Sequence, residues 1–205
     1  MDVPNALFRL GKSHLQTAAN LLAEAFYSDP QIRIFFPEES FRLEQSRSLF
    51  QFLLMYSVLN GEVYAPSSRI KAVAAWLQYR NTNMSFRKMV ASGLLSLVCR
   101  LGFTTVRKIY CFNRLVTSLQ KEFTSFEHYY LFLIAVHPNH RGEGLATALL
   151  RPILERLDSS KLPCCLATCN PSNVSFYEHF DFKVLKSTPV PGTDMVHYEM
   201  LRKPR

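Results

Sequence analysis

The sequence is short of the residues that make repetitive or flexible chains: 205 residues contain 7 Gly, 11 Pro and a single Trp. That excludes collagen-like and low-complexity architectures. No apolar run approaches the roughly 20 residues of a membrane-spanning helix. The best stretch, Gly93 to Cys99, stops at Arg100. The opening Met1-Asp2-Val3-Pro4-Asn5 lacks the basic start and apolar core of a secretory signal, so an intracellular, cytoplasmic chain is expected. The cysteines are Cys99, Cys111, Cys164, Cys165 and Cys169, an odd number without a Cys-x-x-Cys pair. None has metal-ligand spacing with His137 or His140, so no metal is expected and the thiols read as small hydrophobes.

What is present is core-forming. Phe (16) and Tyr (9) are abundant, and 48% of the residues are hydrophobic against 20% charged. This composition and length suit one domain, or one domain with an insertion. The net charge of +8 favours polyanionic partners: nucleic acid, an acidic surface or a phosphate-rich cofactor. No groove-reading or RNA-stacking motif accompanies it, so specific nucleic-acid binding is not expected. The charge is uneven. Between positions 81 and 126 lie Arg87, Lys88, Arg100, Arg107, Lys108, Arg114 and Lys121, with Glu122 as the single acid. A solvated outer helix face is the plainer reading of that stretch.

Periodicity and punctuation predict the elements. Phe8-Arg9-Leu10 reads as a short strand. Ser13 and Gln16 have capping-box spacing before a helix carrying Leu15, Ala18, Leu22 and Phe26, which Asp29-Pro30 is expected to end. A second helix is predicted from about 40 to 59, closed by Asn60-Gly61. Strands follow over 62–65 and 69–78, with Ala72, Ala74 and Trp76 on one face and Val73, Ala75 and Leu77 on the other. Two amphipathic helices are predicted next. One carries Phe86, Met89, Val90, Leu94, Leu97 and Val98; the other carries Val106, Ile109, Phe112, Val116 and Leu119. Tyr129 to Val136 is an unbroken apolar run of eight, the pattern of a strand buried on both faces. A turn-rich loop and a helix from Leu145 to Leu157 follow, with Pro152 expected to kink that helix. A strand over 164–168, a helix with Phe176, Tyr177 and Phe180, and strands over 182–186 and 197–201 complete the chain. The class is α/β with one main sheet.

The chemistry concentrates at Arg141-Gly142-Glu143-Gly144-Leu145-Ala146, between the apolar strand and its helix. Backbone N–H groups at a helix start converge on one point, and the helix dipole adds positive potential there. The small residues let a bulky diphosphate approach the backbone. The loop lacks the Gly-Lys-Ser/Thr ending of a nucleotide P-loop. It also lacks the three-glycine dinucleotide fingerprint, because Thr147 holds the third position.

The segments LIAVHPNHRGEGLATALLRPILERL and CCLATCNPSNVSFYEHFDFKVL resemble the GNAT-superfamily acyl-CoA N-acyltransferases. The layout is similar to the puromycin N-acetyltransferase-like branch through AFYSDP (25–30), LNGEVY (59–64), AVAAWL (72–77) and HYYL (128–131). The resemblance covers nearly the whole chain, and its specific motifs lie within 128–185. It implies a single domain over 1–205, with 81–126 as a basic helical insertion and 128–185 as the acetyl-CoA-binding core. The implied fold is a mixed, mostly antiparallel sheet of about seven strands flanked by helices, with a two-helix insertion between the third and fourth strands.

For the site, the resemblance implies that Ile134, Ala135 and Val136 offer main-chain hydrogen bonds to the pantetheine arm. Arg141, Gly142, Glu143, Gly144, Leu145 and Ala146 would wrap the pyrophosphate, mainly through backbone amides. Asn170 and Asn173 would contact the cofactor arm, and Tyr177 would protonate the departing thiolate. The plainer reading of Tyr177 is a core aromatic. Asp181 stands where the family usually has Gly at a left-handed turn, a departure that Asp tolerates. The general base is left open among His128, Glu127, Glu24, Asp29 and a water chain, with His128 closest to neutrality in its ordinary pKa. Residues 25–36 are expected to shape the acceptor pocket. The implied activity is transfer of an acetyl group from acetyl-CoA to an amine, on a small molecule by preference. A protein or peptide acceptor and a non-catalytic CoA-binding module are the alternatives. The chain is expected to be a monomer or homodimer.

Overall fold

A computed structural model describes residues 7–121 and 126–205. Its centre is a seven-stranded sheet in the order β1-β2-β3-β4-β5-β7-β6. The strands are β1 (Phe8–Arg9), β2 (Gly61–Ala65), β3 (Ala72–Gln78), β4 (Tyr129–Val136), β5 (Cys164–Thr168), β6 (Lys183–Pro189) and β7 (Val196–Arg202). All neighbours are antiparallel except β4 and β5. Helices α1 (Leu15–Ala25), α2 (Pro30–Phe35) and α3 (Glu39–Asn60) precede β2. Four helical segments join β3 to β4: α4 (Tyr79–Thr82), α5 (Phe86–Ala91), α6 (Leu94–Leu101) and α7 (Phe103–Lys121). Helix α8 (Leu145–Ser159) connects β4 to β5, and α9 (Ser172–Glu178) precedes β6.

The alternation of β3 divides the core into two layers, as its sequence predicts. Val73 and Ala75 pack with α1, α2, α3 and residues of α5–α7, whereas Ala72, Ala74 and Trp76 pack with α8 and the Tyr177 region of α9. Six of the seven residues of β3 are buried, because helices cover both faces.

Several local expectations give way to competing forces. Asp29-Pro30 does not end α1 but starts α2: Asp29 Oδ1 accepts from the Gln31 amide at 2.9 Å, and Pro30 occupies the first helical position. The start of α1 is held by His14, whose Nδ1 accepts from the Gly11 amide at 3.0 Å, in place of a Ser13–Gln16 box. The link from β3 to β4 holds four helical segments rather than two: the short α4 stands before the predicted helices, Gly93 at positive φ splits the first of them into α5 and α6, and Gly102 separates α6 from α7. Met89, Leu97 and Ile109 of its stripes are buried, but Phe86 and Val90 face outward. The side chains of Val116 and Leu119, and the whole of Glu122, lie outside the described residues. Pro152 stays inside a continuous α8 and leaves the Ala148 carbonyl without its usual helical donor.

β4 also departs from its sequence pattern. Only Leu131 and Ala135 are fully buried. The cause is topological. β4 pairs with β3 along its whole length, but with β5 only at Tyr129, Tyr130 and Leu131. The two parallel strands then separate, leaving β4 from 132 to 136 without a strand on that side among the described residues. Opposite the separation, Trp76 pairs with Leu131 and Ala75 with Leu133, so Phe132 is the extra residue of a β-bulge.

Candidate active site

The loop between β4 and α8 is built for close approach to backbone. Gly142 and Gly144 have φ of +82° and +74°, a conformation that side-chain-bearing residues rarely adopt. An added Cβ at either would meet no atom within 4 Å, so conformation and open space, not crowding, explain both glycines. Gly144 caps α8 without a side chain, and the first turn of α8 contains no acid. The amide donors of Leu145, Ala146 and Thr147 therefore have no intrahelical acceptor and no side-chain cap. The carboxylate of Glu143 is drawn aside: Oε1 takes a 2.7 Å hydrogen bond from His140 Nδ1 and Oε2 lies 3.7 Å from Lys71 Nζ. The His140 contact holds the Glu143 pKa below the usual carboxylate range.

The loop is also tied to α1. His137 Nδ1 accepts from the Asn139 amide, so its Nε2 carries the proton and donates to Glu24 Oε2 at 2.9 Å. Arg141 reaches the Ala25 carbonyl at 3.4 Å. The end of α1 is thus anchored beside the cradle, and the turn leading to α2 stays on that face of the sheet.

Beyond β5, Thr168 organises the next turn, a role its sequence does not announce. Its hydroxyl accepts from the Asn170 amide at 3.1 Å, and Asn173 Nδ2 lies 3.5 Å away. Asn170 Oδ1 accepts from the Ser172 amide at 3.0 Å. The Asn170 side chain is therefore engaged in capping α9. Tyr177 is buried between the rings of Phe176 and Phe182, at centroid separations of 5.3 and 6.0 Å. Burial drives its phenol pKa well above the ordinary value, and the neighbouring Cys164 thiol adds to the shift. Cys164 itself lies against the Leu131 main chain. The phenol therefore lies near Cys164, whose strand pairs with β4 from Tyr129 to Leu131.

His128 precedes β4 at the paired end of the strands, four residues before the bulge and at the opposite end of β4 from the β4–α8 loop. Its Nδ1 lies 2.8 Å from the Phe126 carbonyl. A carbonyl only accepts, so Nδ1 is the donor and Nε2 carries the lone pair. Burial lowers the His128 pKa, the Phe126 hydrogen bond opposing it in part. At neutral pH the ring is a neutral base. Of the other base candidates, Glu24 is committed to His137 and Asp29 to capping α2, whereas Glu127 is exposed.

This geometry agrees with the comparisons to known proteins. Residues 99–184, from α6 into β6, match the family model described as "Acetyltransferase (GNAT) domain". The chain is 22% identical over 183 residues to an uncharacterized N-acetyltransferase of Schizosaccharomyces pombe, covering 85% of this chain and 72% of that protein. Residues 99–184 are thus similar to the acetyltransferase domain of the GNAT superfamily.

Solved structures of acetyltransferases share this fold across nearly the whole chain. A Corynebacterium glutamicum structure, described as histone acetyltransferase HPA2 and related acetyltransferase, superposes with a TM-score of 0.70 at 18% identity. It covers 98% of this chain and 96% of that one. The arylalkylamine N-acetyltransferase 7 of the yellow fever mosquito gives 0.64 at 13% identity, covering 97% and 87%. The C-terminal condensation domain of Ebony, in complex with beta-alanyl-dopamine, gives 0.65 at 11% identity, covering 96% and 97%. Among the described residues, no helix is long and apolar enough to cross a membrane.

Proposed function

We propose that the protein transfers an acetyl group from acetyl-CoA to the nitrogen of a small-molecule amine. The observation that carries this reading is the coincidence of two features at one place. An uncapped helix start behind two left-handed glycines faces open space, and the β4–β5 pairing ends at Leu131 on the same loop's strand. The first suits a diphosphate. The second offers unpaired strand backbone at Ile134, Ala135 and Val136 to an amide-bearing arm, as an added half-strand would use it. Coenzyme A has both parts. Arg141 and the amides from Gly142 to Ala146 would hold the pyrophosphate, with Asn170 and Asn173 lining the arm from the α9 side.

Acetyl-CoA supplies an activated acyl group, and the remaining chemistry falls to the protein. The incoming nitrogen must be neutral to attack, and the leaving sulfur must gain a proton. Tyr177, kept protonated by burial, is assigned as the proton donor. His128, neutral with its lone pair on Nε2, is assigned as the base, acting on a proton relayed along the strand. Main-chain donors beside the bulge would stabilise the developing oxyanion. The arylalkylamine and beta-alanyl-dopamine proteins of the same fold support a small-molecule acceptor.

Calorimetry with coenzyme A, followed by thiol-release assays with acetyl-CoA and panels of small amines and peptides, tests the proposal. Micromolar CoA binding and amine-dependent thiol release are expected. Absence of CoA binding by folded protein would overturn it, and transfer onto peptides alone would replace the small-molecule acceptor.

A further inference from the structure

A buried polar group on the acceptor side of the sheet has no role in the chemistry described so far. Met200 and Arg202 of β7 face α8, Met200 in the core and Arg202 through Asp158. By strand alternation His197 and Glu199 face the opposite side, toward the α1–α2 turn. Both are more than nine-tenths buried. Among the described residues, neither carboxylate oxygen of Glu199 has a hydrogen-bond partner, and His197 Nε2 has none either. The two side chains stand 3.8 Å apart, Nε2 to Oε1, too far for a direct hydrogen bond. His197 Nδ1 is occupied by Cys169 Sγ at 3.8 Å.

The location is informative. Glu199 pairs across the sheet with Ala167, one residue beyond Leu166, where the β4–β5 pairing ends. It therefore flanks the strand separation, one strand spacing of about 5 Å from β5. The negative potential reaches its neighbours: the Cys165 thiol is pushed up to about 12 by burial and then by Glu199, and Cys169 to about 11 by burial and then by Asp29. Asp29 thus adds a second carboxyl from the α1–α2 turn. Among the described residues, Glu199 forms a long ion-pair contact with His197. Tyr130 lies across β5 from this group, paired with Cys165.

Enclosing a carboxylate with no donor costs several kcal/mol unless a cation neutralises it. From this we infer that Glu199 and His197 form a receptor for a cationic nitrogen of the acceptor. The acceptor is then a diamine or polyamine, one nitrogen held here while another meets the thioester. An ammonium bridges the pair by donating one N–H to Glu199 Oε1 and one to His197 Nε2. This inference rests on the acetyl-transfer reading above, to which it adds the substrate class. The ammonium stays protonated, so the site binds and positions and takes no part in bond making.

The test compares 1,4-diaminobutane and spermidine with n-butylamine, which has the same reach as the diamine but lacks the second charge. Wild-type protein is expected to favour the diamine in kcat/KM by about 10-fold or more. Glu199→Gln keeps the shape of the side chain and removes its charge. It is expected to raise KM for the diamine about 10- to 100-fold and to leave n-butylamine within about threefold, the span of one charged hydrogen bond. CoA binding should be unchanged, and the melting temperature should hold or rise, because a buried carboxyl group without hydrogen-bond partners among the described residues has been replaced. A His197→Gln variant, which retains a polar side chain, should weaken diamine binding with the same selectivity. Equal use of diamine and n-butylamine by wild type, or a preference that survives Glu199→Gln, overturns the inference while acetyl transfer stands. A fall in melting temperature with selectivity intact assigns the pair to structure and also overturns it. Failure of wild type to release thiol with any amine overturns the acetyl-transfer reading instead.

Discussion

Arg202 and Asp158 form a two-pronged ion pair, with both guanidinium nitrogens donating to the two carboxylate oxygens at 2.7 Å. A third donor, Arg202 Nε, reaches the Phe180 carbonyl at 3.0 Å. One side chain thus fastens β7 to the end of α8 and to the turn that follows α9. The Arg202 side chain is only 4% exposed, so its loss strands partners away from water. Arg202→Met is expected to destabilise the fold by about 3 kcal/mol, read by urea unfolding. The arginine holds the Asp158 pKa below the ordinary carboxylate value. A depressed folded pKa means that the stabilisation is complete above the unfolded pKa near 4 and is lost as pH falls toward the folded one. Asp158→Asn should accordingly weaken the protein at pH 7 and flatten its loss of stability below pH 4. An unchanged acid limb would refute the assignment.

Gly144 separates conformational cost from ligand contact. Its φ of +74° disfavours any Cβ, yet the surrounding space is open. Gly144→Ala is expected to lower stability by about 1–2 kcal/mol, the penalty for a left-handed alanine. The same change tilts the first amides of α8, and CoA affinity should fall about tenfold by calorimetry. Gly11 provides the control, since its φ of −111° is ordinary and its surroundings are equally open. Gly11→Ala should leave CoA affinity as it is. Equal effects at both glycines would remove the cradle from the proposed function.

The parts legible in the sequence are those governed by local rules. β4 and β5 fall on their predicted residues, the two faces of β3 sort as its alternation demands, and the left-handed turn expected at Asp181 appears with φ of +65°. Misreadings arise where one local signal serves two ends. Asp29-Pro30 suits a helix stop and a helix start alike, and only the position of α2 decides between them. The eight apolar residues of β4 imply full burial, but the separation from β5 depends on what β5 does thirty residues later. Thr168, His197 and Glu199 carry no motif. Their relation to the site exists only through pairing across β5 and β7.

Tyr177 distinguishes chemistry from packing by one atom. Its ring fills a pocket between Phe176 and Phe182, and phenylalanine fills that space equally well. Tyr177→Phe should therefore leave the melting temperature within about 2 °C. If the phenol protonates the leaving thiolate, kcat should fall about 10²–10⁴-fold with KM for acetyl-CoA nearly constant. Spectrophotometric thiol release under saturating donor provides the measurement. A variant with wild-type kcat would reduce Tyr177 to a core aromatic.

His128 links pH dependence to both rate and stability. Burial lowers its folded pKa below the ordinary 6.5 of an imidazole. Between the folded and unfolded values the unfolded chain binds more protons, so stability falls as pH drops through that window and is complete above about 6.5. His128→Gln keeps a hydrogen-bonding side chain and cannot be protonated, so it should remove that part of the acid sensitivity in thermal melts. As the base, His128 is deprotonated early: kcat/KM should rise with pH and level off below 6.5, provided acceptor ionisation is corrected for in the same experiment. The variant should lose that limb and at least tenfold in rate. Persistence of the limb in His128→Gln would move the base to another group on this face of the sheet, while a vanished stability window with an unaltered rate profile would make His128 purely structural.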